Sequence, residues 1–170
     1  MEKTVINHVC SLGSDCMPSF FLQAQGLKIK SYPFDWCFSE EESISYCIKN
    51  NFKDFLNTDL HKPNPKKDGQ VYNIKTKTIY PPAAIHNRQP LNDMPYYERC
   101  VERFNKMIES GEPILFVTSF KNRNLFEAEL RKLNENIHFI KIHGRRKEVE
   151  SLHLINKEYD LRKKYDFKLL

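Results

Sequence analysis

A chain of 170 residues with 40% hydrophobic and 29% charged residues and a net charge of +5 is long enough for one domain with a sizeable core, and two would be a squeeze. No stretch has the apolar length a bilayer requires, and Met1-Glu2-Lys3-Thr4 runs into a strand pattern without the regions of a signal peptide, so a cytoplasmic protein with no membrane partner is expected. Five cysteines (Cys10, Cys16, Cys37, Cys47 and Cys100) form an odd set with no C-x-x-C pair, which argues against a disulfide framework or a zinc ribbon and fits reduced thiols.

The apolar run Val5–Cys10 predicts a strand. A tight turn, Ser11-Leu12-Gly13-Ser14-Asp15-Cys16, leads into a helix over Met17–Gln25, with Ser14 or Asp15 as N-cap, Pro18 in the first turn and Gly26 at its end. Ile29–Tyr32 reads as a short extended run entering Pro33-Phe34-Asp35-Trp36-Cys37-Phe38, a group of aromatics around one carboxylate. Ser39 and Glu42 have the spacing of a capping box, and Ile44, Cys47 and Ile48 form the apolar stripe of a second helix. His61–Gly69 reads as an exposed loop, and Val71–Ile74 with Thr78–Tyr80 as a hairpin. Three prolines in Pro81–Pro90 forbid a long regular element and place His86 and Asn87 on a loop.

Asn92 or Asp93 caps a long helix to about Ser110, with Gly111 as its stop. Ile114–Phe120 is the clearest strand, apolar throughout as in a parallel sheet buried on both faces. A helix over Leu125–Leu133 and a strand over Ile137–Ile142 complete a strand–helix–strand unit. The fold class is therefore α/β, a single layered domain over 1–170 with a mainly parallel sheet flanked by helices and a small β-hairpin insertion. From Gly144 onward eight Lys or Arg face five acidic residues, read as a mixed, largely helical basic extension over 144–170.

In an open parallel sheet ligands bind at the carboxyl ends of the strands, which puts the turn holding Cys16 in the natural site. At a helix start, peptide dipoles and unpaired N–H groups favour a thiolate, and the backbone of Gly13, Ser14 and Asp15 is placed to hold an oxyanion. Histidine is the usual base because its pKa lies near the working pH. His86 is the best placed, on a proline-restrained loop flanked by Asn87 and Arg88. His143 is second, whereas His8 and His138 sit inside strands. Asp35 either caps a turn or holds a partner such as the histidine, because a charge among apolar groups needs pairing. Arg99 and Arg103, four apart on one helix face, suit a phosphate or carboxylate, although ion pairing with Glu98 or Glu102 is the commoner role. A single glycine in the first turn excludes a P-loop and a dinucleotide fingerprint, no metal site is expected, and no basic stripe interleaved with aromatics points to nucleic acid.

Together, Ser11-Leu12-Gly13-Ser14-Asp15-Cys16, Ser31-Tyr32-Pro33-Phe34-Asp35-Trp36, a histidine after the central loop and Glu102-Arg103-Phe104 before Ile114-Leu115-Phe116-Val117 resemble a family described as papain-like cysteine peptidases, a domain of unknown function in bacteria and large DNA viruses. The resemblance spans roughly Val5 to Phe120. It implies a cysteine-dependent hydrolase of acyl, amide or peptide bonds, with Cys16 as nucleophile, His86 as base and Asp35 as the third member. Gly13, Ser14, Asp15, Trp36, Asn87, Arg88 and Arg103 are the expected substrate-binding residues. The expected partner is a peptide or small-molecule substrate, with no cofactor, and the sequence leaves the oligomeric state open. Two alternatives stand beside it: a serine esterase-like hydrolase using Ser11 or Ser14, and a non-catalytic module that binds an anionic small molecule such as a nucleotide or sugar phosphate.

Overall fold

The computed structural model describes residues 2–80, 94–143 and 160–170. Within them the chain forms β1 (Thr4–Ile6), β2 (His8–Ser11), α1 (Met17–Ala24), α2 (Glu41–Lys49), a 3-10 turn (Thr58–Leu60), β3 (His61–Pro63), β4 (Val71–Asn73) and β5 (Ile79–Tyr80). There follow α3 (Met94–Glu109), β6 (Ile114–Thr118), α4 (Asn124–Leu133), β7 (Ile137–Lys141), a single turn α5 (Leu161–Lys164) and β8 (Tyr165–Phe167).

The central layer is a parallel sheet of order β2-β6-β7, with Cys10 opposite Phe116 and Phe116 opposite Phe139. Side chains alternate across it, so Cys10, Ile114, Phe116 and Ile137 enter one core with α2, α3 and α4. Val9, Leu115 and Val117 enter a second core with Met17, Phe21 and Leu22 of α1, Leu161 and Tyr165. Helices thus cover both faces, as the unbroken apolar run of β6 requires. β3, β4 and β5 form a separate antiparallel sheet, and β1 pairs with β8 in parallel.

The helix ends are built by hydrogen bonding. At the end of α1 the Gly26 N–H reaches the Gln23 carbonyl and the Leu27 N–H reaches the Leu22 carbonyl, both at 2.9 Å, with Gly26 at φ 64° and Leu22 packed with Leu27. That is a Schellman motif, in which glycine accepts the left-handed position without steric cost. α2 ends in the same motif with Asn51 in the glycine's place: Asn51 and Phe52 donate to Ile48 and Cys47 at 3.2 and 2.8 Å. Phe52 also has positive φ, 58°. Its ring is held at 5.3–5.7 Å from Phe34, Phe55 and Phe104, and this packing keeps an aromatic residue in a backbone region it normally avoids.

Several expectations are corrected. The run Val5–Cys10 is two strands: the N–H groups of Asn7 and His8 both donate to the Pro113 carbonyl, and the chain changes sheets there. Ile29–Tyr32 forms no strand, and Ile29 is exposed. Ser39 is no cap; α2 has Glu40 at its N-cap, and the buried Ser39 hydroxyl has no partner among the described residues. Glu41 and Glu42 in the first turn and Lys49 in the last favour this helix through its dipole instead. The start of the supposed loop His61–Gly69 is strand β3. Of the basic end only 160–170 are described, and they hold one helical turn and one strand.

His61 is buried, with Nε2 donating to the Phe55 carbonyl at 3.1 Å and Nδ1 without a partner among the described residues, and burial lowers its pKa. The unfolded chain then binds more protons below about pH 6.5, and stability contributed at His61 is present above that pH and lost as pH falls through it. Urea unfolding at pH 7 and pH 5 should show a smaller loss of stability for His61→Gln than for the wild type; equal losses would remove His61 from the acid response.

Candidate active site

β2 and β6 are neighbouring parallel strands, but the helices that follow them lie on opposite faces of the sheet: α1 packs in the Val9 and Leu115 core, α4 in the Cys10 and Phe116 core. Such a pair defines a topological switch point, and ligands of α/β sheets bind at the carboxyl ends of the strands there. The Gly13–Cys16 turn follows β2, and Ser119 follows β6.

The turn is fixed from several sides. The Leu12 N–H donates to the Val117 carbonyl at 2.8 Å, carrying the pairing one residue beyond β2. Ser14 donates its backbone N–H to Ser119 Oγ at 3.1 Å, and the two hydroxyls lie 3.2 Å apart. The Ser14 carbonyl accepts the Ser39 N–H at 3.2 Å, which anchors the approach to α2 on the same turn. Asp15 Oδ1 accepts the Met17 N–H at 2.9 Å and caps the helix from one residue before the N-cap. The N-cap itself is Cys16, 3% exposed, whose carbonyl accepts the Phe20 N–H at 3.1 Å. At Gly13 a Cβ would stand 2.5 Å from Pro18 Cγ and 2.9 Å from the Asp15 carbonyl oxygen, so only glycine fits.

Asp35 is fully buried. Its Oδ1 accepts the Ser11 hydroxyl; its Oδ2 accepts the Lys28 ammonium and, at 2.9 Å, the Tyr32 N–H. Three segments therefore converge on one carboxylate: the end of β2, the stretch after α1, and Asp35's own turn. Lys28 also donates to the Lys30 carbonyl at 3.1 Å, and its ammonium lies 5.8 Å from the Trp36 ring centroid. Trp36 meets Phe20 of α1 edge to face at 5.2 Å. Asp35 was expected to need pairing, and it is paired. The sequence reading did not identify Lys28 as the partner, because no periodic pattern marks it.

Ser119 was also missed, although its place at the carboxyl end of the clearest strand was a signal. Arg103, on α3, donates to the Ser31 carbonyl at 3.4 Å, while Glu102 pairs with Lys106 at 2.6 Å. His8 pairs with Glu112 at 2.7 Å, His138 packs against Tyr165, and His143 is exposed. His86, Asn87 and Arg88 lie outside the described residues. Among the described residues no group of three or more His, Cys, Asp or Glu is arranged to hold a metal, and no helix is long and apolar enough to cross a membrane.

The other four cysteines are buried, and burial raises each thiol pKa, that of Cys100 to about 11; for Cys10 and Cys37 the charge of Asp35 adds to the rise. At neutral pH these four are thiols that pack the core.

The fold is thus an α/β sheet with a buried cysteine at the N-cap of the helix that follows its switch point. The chain belongs to the family described as "Putative papain-like cysteine peptidase", which matches residues 7–168. It is 50% identical to an uncharacterised protein of Acanthamoeba polyphaga mimivirus, in a match that covers 72% of this chain and 66% of the viral protein's length. No solved structure matches the chain.

Two substitutions test the site's construction. Asp35→Asn strands the Lys28 ammonium in a buried place and should cost about 3–5 kcal/mol in urea unfolding; a loss below about 1 kcal/mol would show that the charge is dispensable. Gly13→Ala forces a methyl group onto Pro18 and should cost about 1–3 kcal/mol by the same measurement.

Proposed function

We propose that the protein is a cysteine-dependent hydrolase of peptide, amide or other acyl bonds, carried on one α/β domain and acting on a peptide or small-molecule substrate in the cytoplasm. The observation that carries this reading is the position of Cys16 at the N-cap of α1, beside the β2/β6 switch point, on a turn clamped by Ser119, Ser39 and Asp15. Family membership supports it.

In this reading the Cys16 thiolate attacks the acyl carbon, and the dipole of α1 favours the anion. Turn backbone at Gly13, Ser14 and Asp15 offers N–H groups to the developing oxyanion; Ser14 N–H, already bonded to Ser119, would be redirected or share its donor. His86 takes the thiol proton and returns it to the leaving group, with Asn87 and Arg88 beside it to bind substrate. Asp35 is assigned as the third member, its orientation already set by Ser11, Lys28 and the Tyr32 N–H. Trp36 and Arg103 are assigned to substrate binding. Ser11 is buried, and the carboxylate its hydroxyl meets is already ion-paired to Lys28, so it is poorly suited to the serine nucleophile of an esterase.

The test combines alkylation with turnover on a peptide library. Iodoacetamide at neutral pH should label Cys16 ahead of the four core thiols, Cys16→Ala should abolish turnover with its melting curve retained, and His86→Ala should move the pH profile of labelling upward. Labelling of Cys16 only near the free-thiol pKa of about 8.5, in both wild type and His86→Ala, would overturn the reading.

A further inference from the structure

α3 closes at Glu109, shortly before β6 begins at Ile114, and α4 closes at Leu133, shortly before β7 begins at Ile137. These helix ends therefore lie at the amino edge of the parallel sheet, whereas the Cys16 turn lies at its carboxyl edge. A cavity of about 330 Å³ opens between them and the end of α2. Its lining includes the buried apolar side chains Ile48, Phe52, Phe104 and Ile108, and also Leu133, which is 57% exposed. A single exposed leucine is ordinary, but one beside an apolar hollow makes a continuous patch.

The polar part of the lining carries both signs of charge. Asn105 donates to Asn51 at 2.8 Å, so these two amides are committed to each other. Lys49 and Glu109 are exposed. Glu109 is in no ion pair among the described residues. Lys49 lies 3.5 Å from Glu129, a carboxylate that Lys132 holds more closely at 3.0 Å. The patch thus offers a protruding leucine, an apolar hollow, a cation and an anion. A fitting partner presents a hollow to the leucine, a leucine to the hollow, and the two charges in inverted order. A second copy of this chain, turned about a two-fold axis, presents that set, because an isologous contact places Lys49 against the partner's Glu109 and Glu109 against the partner's Lys49.

We propose that this face is a self-association surface, on which two copies dock by placing Leu133 in each other's cavity and pairing Lys49 with Glu109. Both Cys16 turns stay open in that dimer, and the contact stands whether or not Cys16 is a nucleophile. A contact confined to three helix ends gives a weak, reversible dimer.

Sedimentation velocity over a concentration series tests it. A monomer–dimer equilibrium in the micromolar range is expected, unchanged in Cys16→Ala. Leu133→Glu should weaken it at least tenfold. Lys49→Glu and Glu109→Lys should each be monomeric alone, since the first sets acid against acid across the two-fold axis and the second base against base. Mixed in equal amounts they should form a heterodimer, because both ion pairs are then restored. All three positions are exposed, so the variants should fold, and melting curves check this; Leu133→Glu decides if either charge variant does not. A wild type that stays monomeric into the millimolar range, a dimer untouched by Leu133→Glu, or folded charge variants that mixing does not rescue overturns the proposal.

Discussion

One buried carboxylate organises the site side of this molecule. Asp35 has no contact with water, and its charge is tolerable only while the Ser11 hydroxyl, the Lys28 ammonium and the Tyr32 N–H all point at it. A buried ion pair adds little net stability, because desolvation offsets the attraction, but separating its members is expensive. The expense falls on any arrangement in which the end of β2, the stretch after α1 and the aromatic turn come apart. Those segments flank the turn that carries Cys16, so the register of the candidate nucleophile is set partly by a charge it need not touch.

The elements with a strong periodic signal were legible from the residues alone. β6 followed from an unbroken apolar run, α1 from Pro18 and Gly26, α3 from its capping Asn92 or Asp93 and its glycine stop. What failed was information that resides in partners. Nothing local says that Asn7 and His8 will share the Pro113 carbonyl and divide one apolar run between two sheets. Ser39 and Glu42 have the spacing of a capping box, but Ser39 gives its N–H to Ser14 across the fold, and its hydroxyl caps nothing. A tertiary contact overrode a local propensity in both places.

The site was legible to a similar depth. The strand–turn–helix passage located Cys16, and the oddity of a carboxylate among aromatics singled out Asp35. Lys28 carries no pattern of its own and becomes visible only when the chain is closed, whereas Ser119 had one signal, its place just after the clearest strand. The cysteines make the complementary point: all five are buried in the fold, but four pack in the core cluster, where burial raises their thiol pKa, and the fifth lies at a helix start.

The parallel pair β1–β8 joins Thr4 to Tyr165 and Ile6 to Phe167, across about 160 positions of sequence. Closing a loop of that length is entropically costly and slow to nucleate, and on a ribosome β1 has no partner until residues 165–167 have been made. The second core, which contains Ile6, Leu161 and Tyr165 together with Met17 and Phe21 of α1, is therefore completed last. Since Met17 and Phe21 of α1 belong to that core, the helix that begins after Cys16 gains its cover from Leu161 and Tyr165 only once the end of the chain has docked.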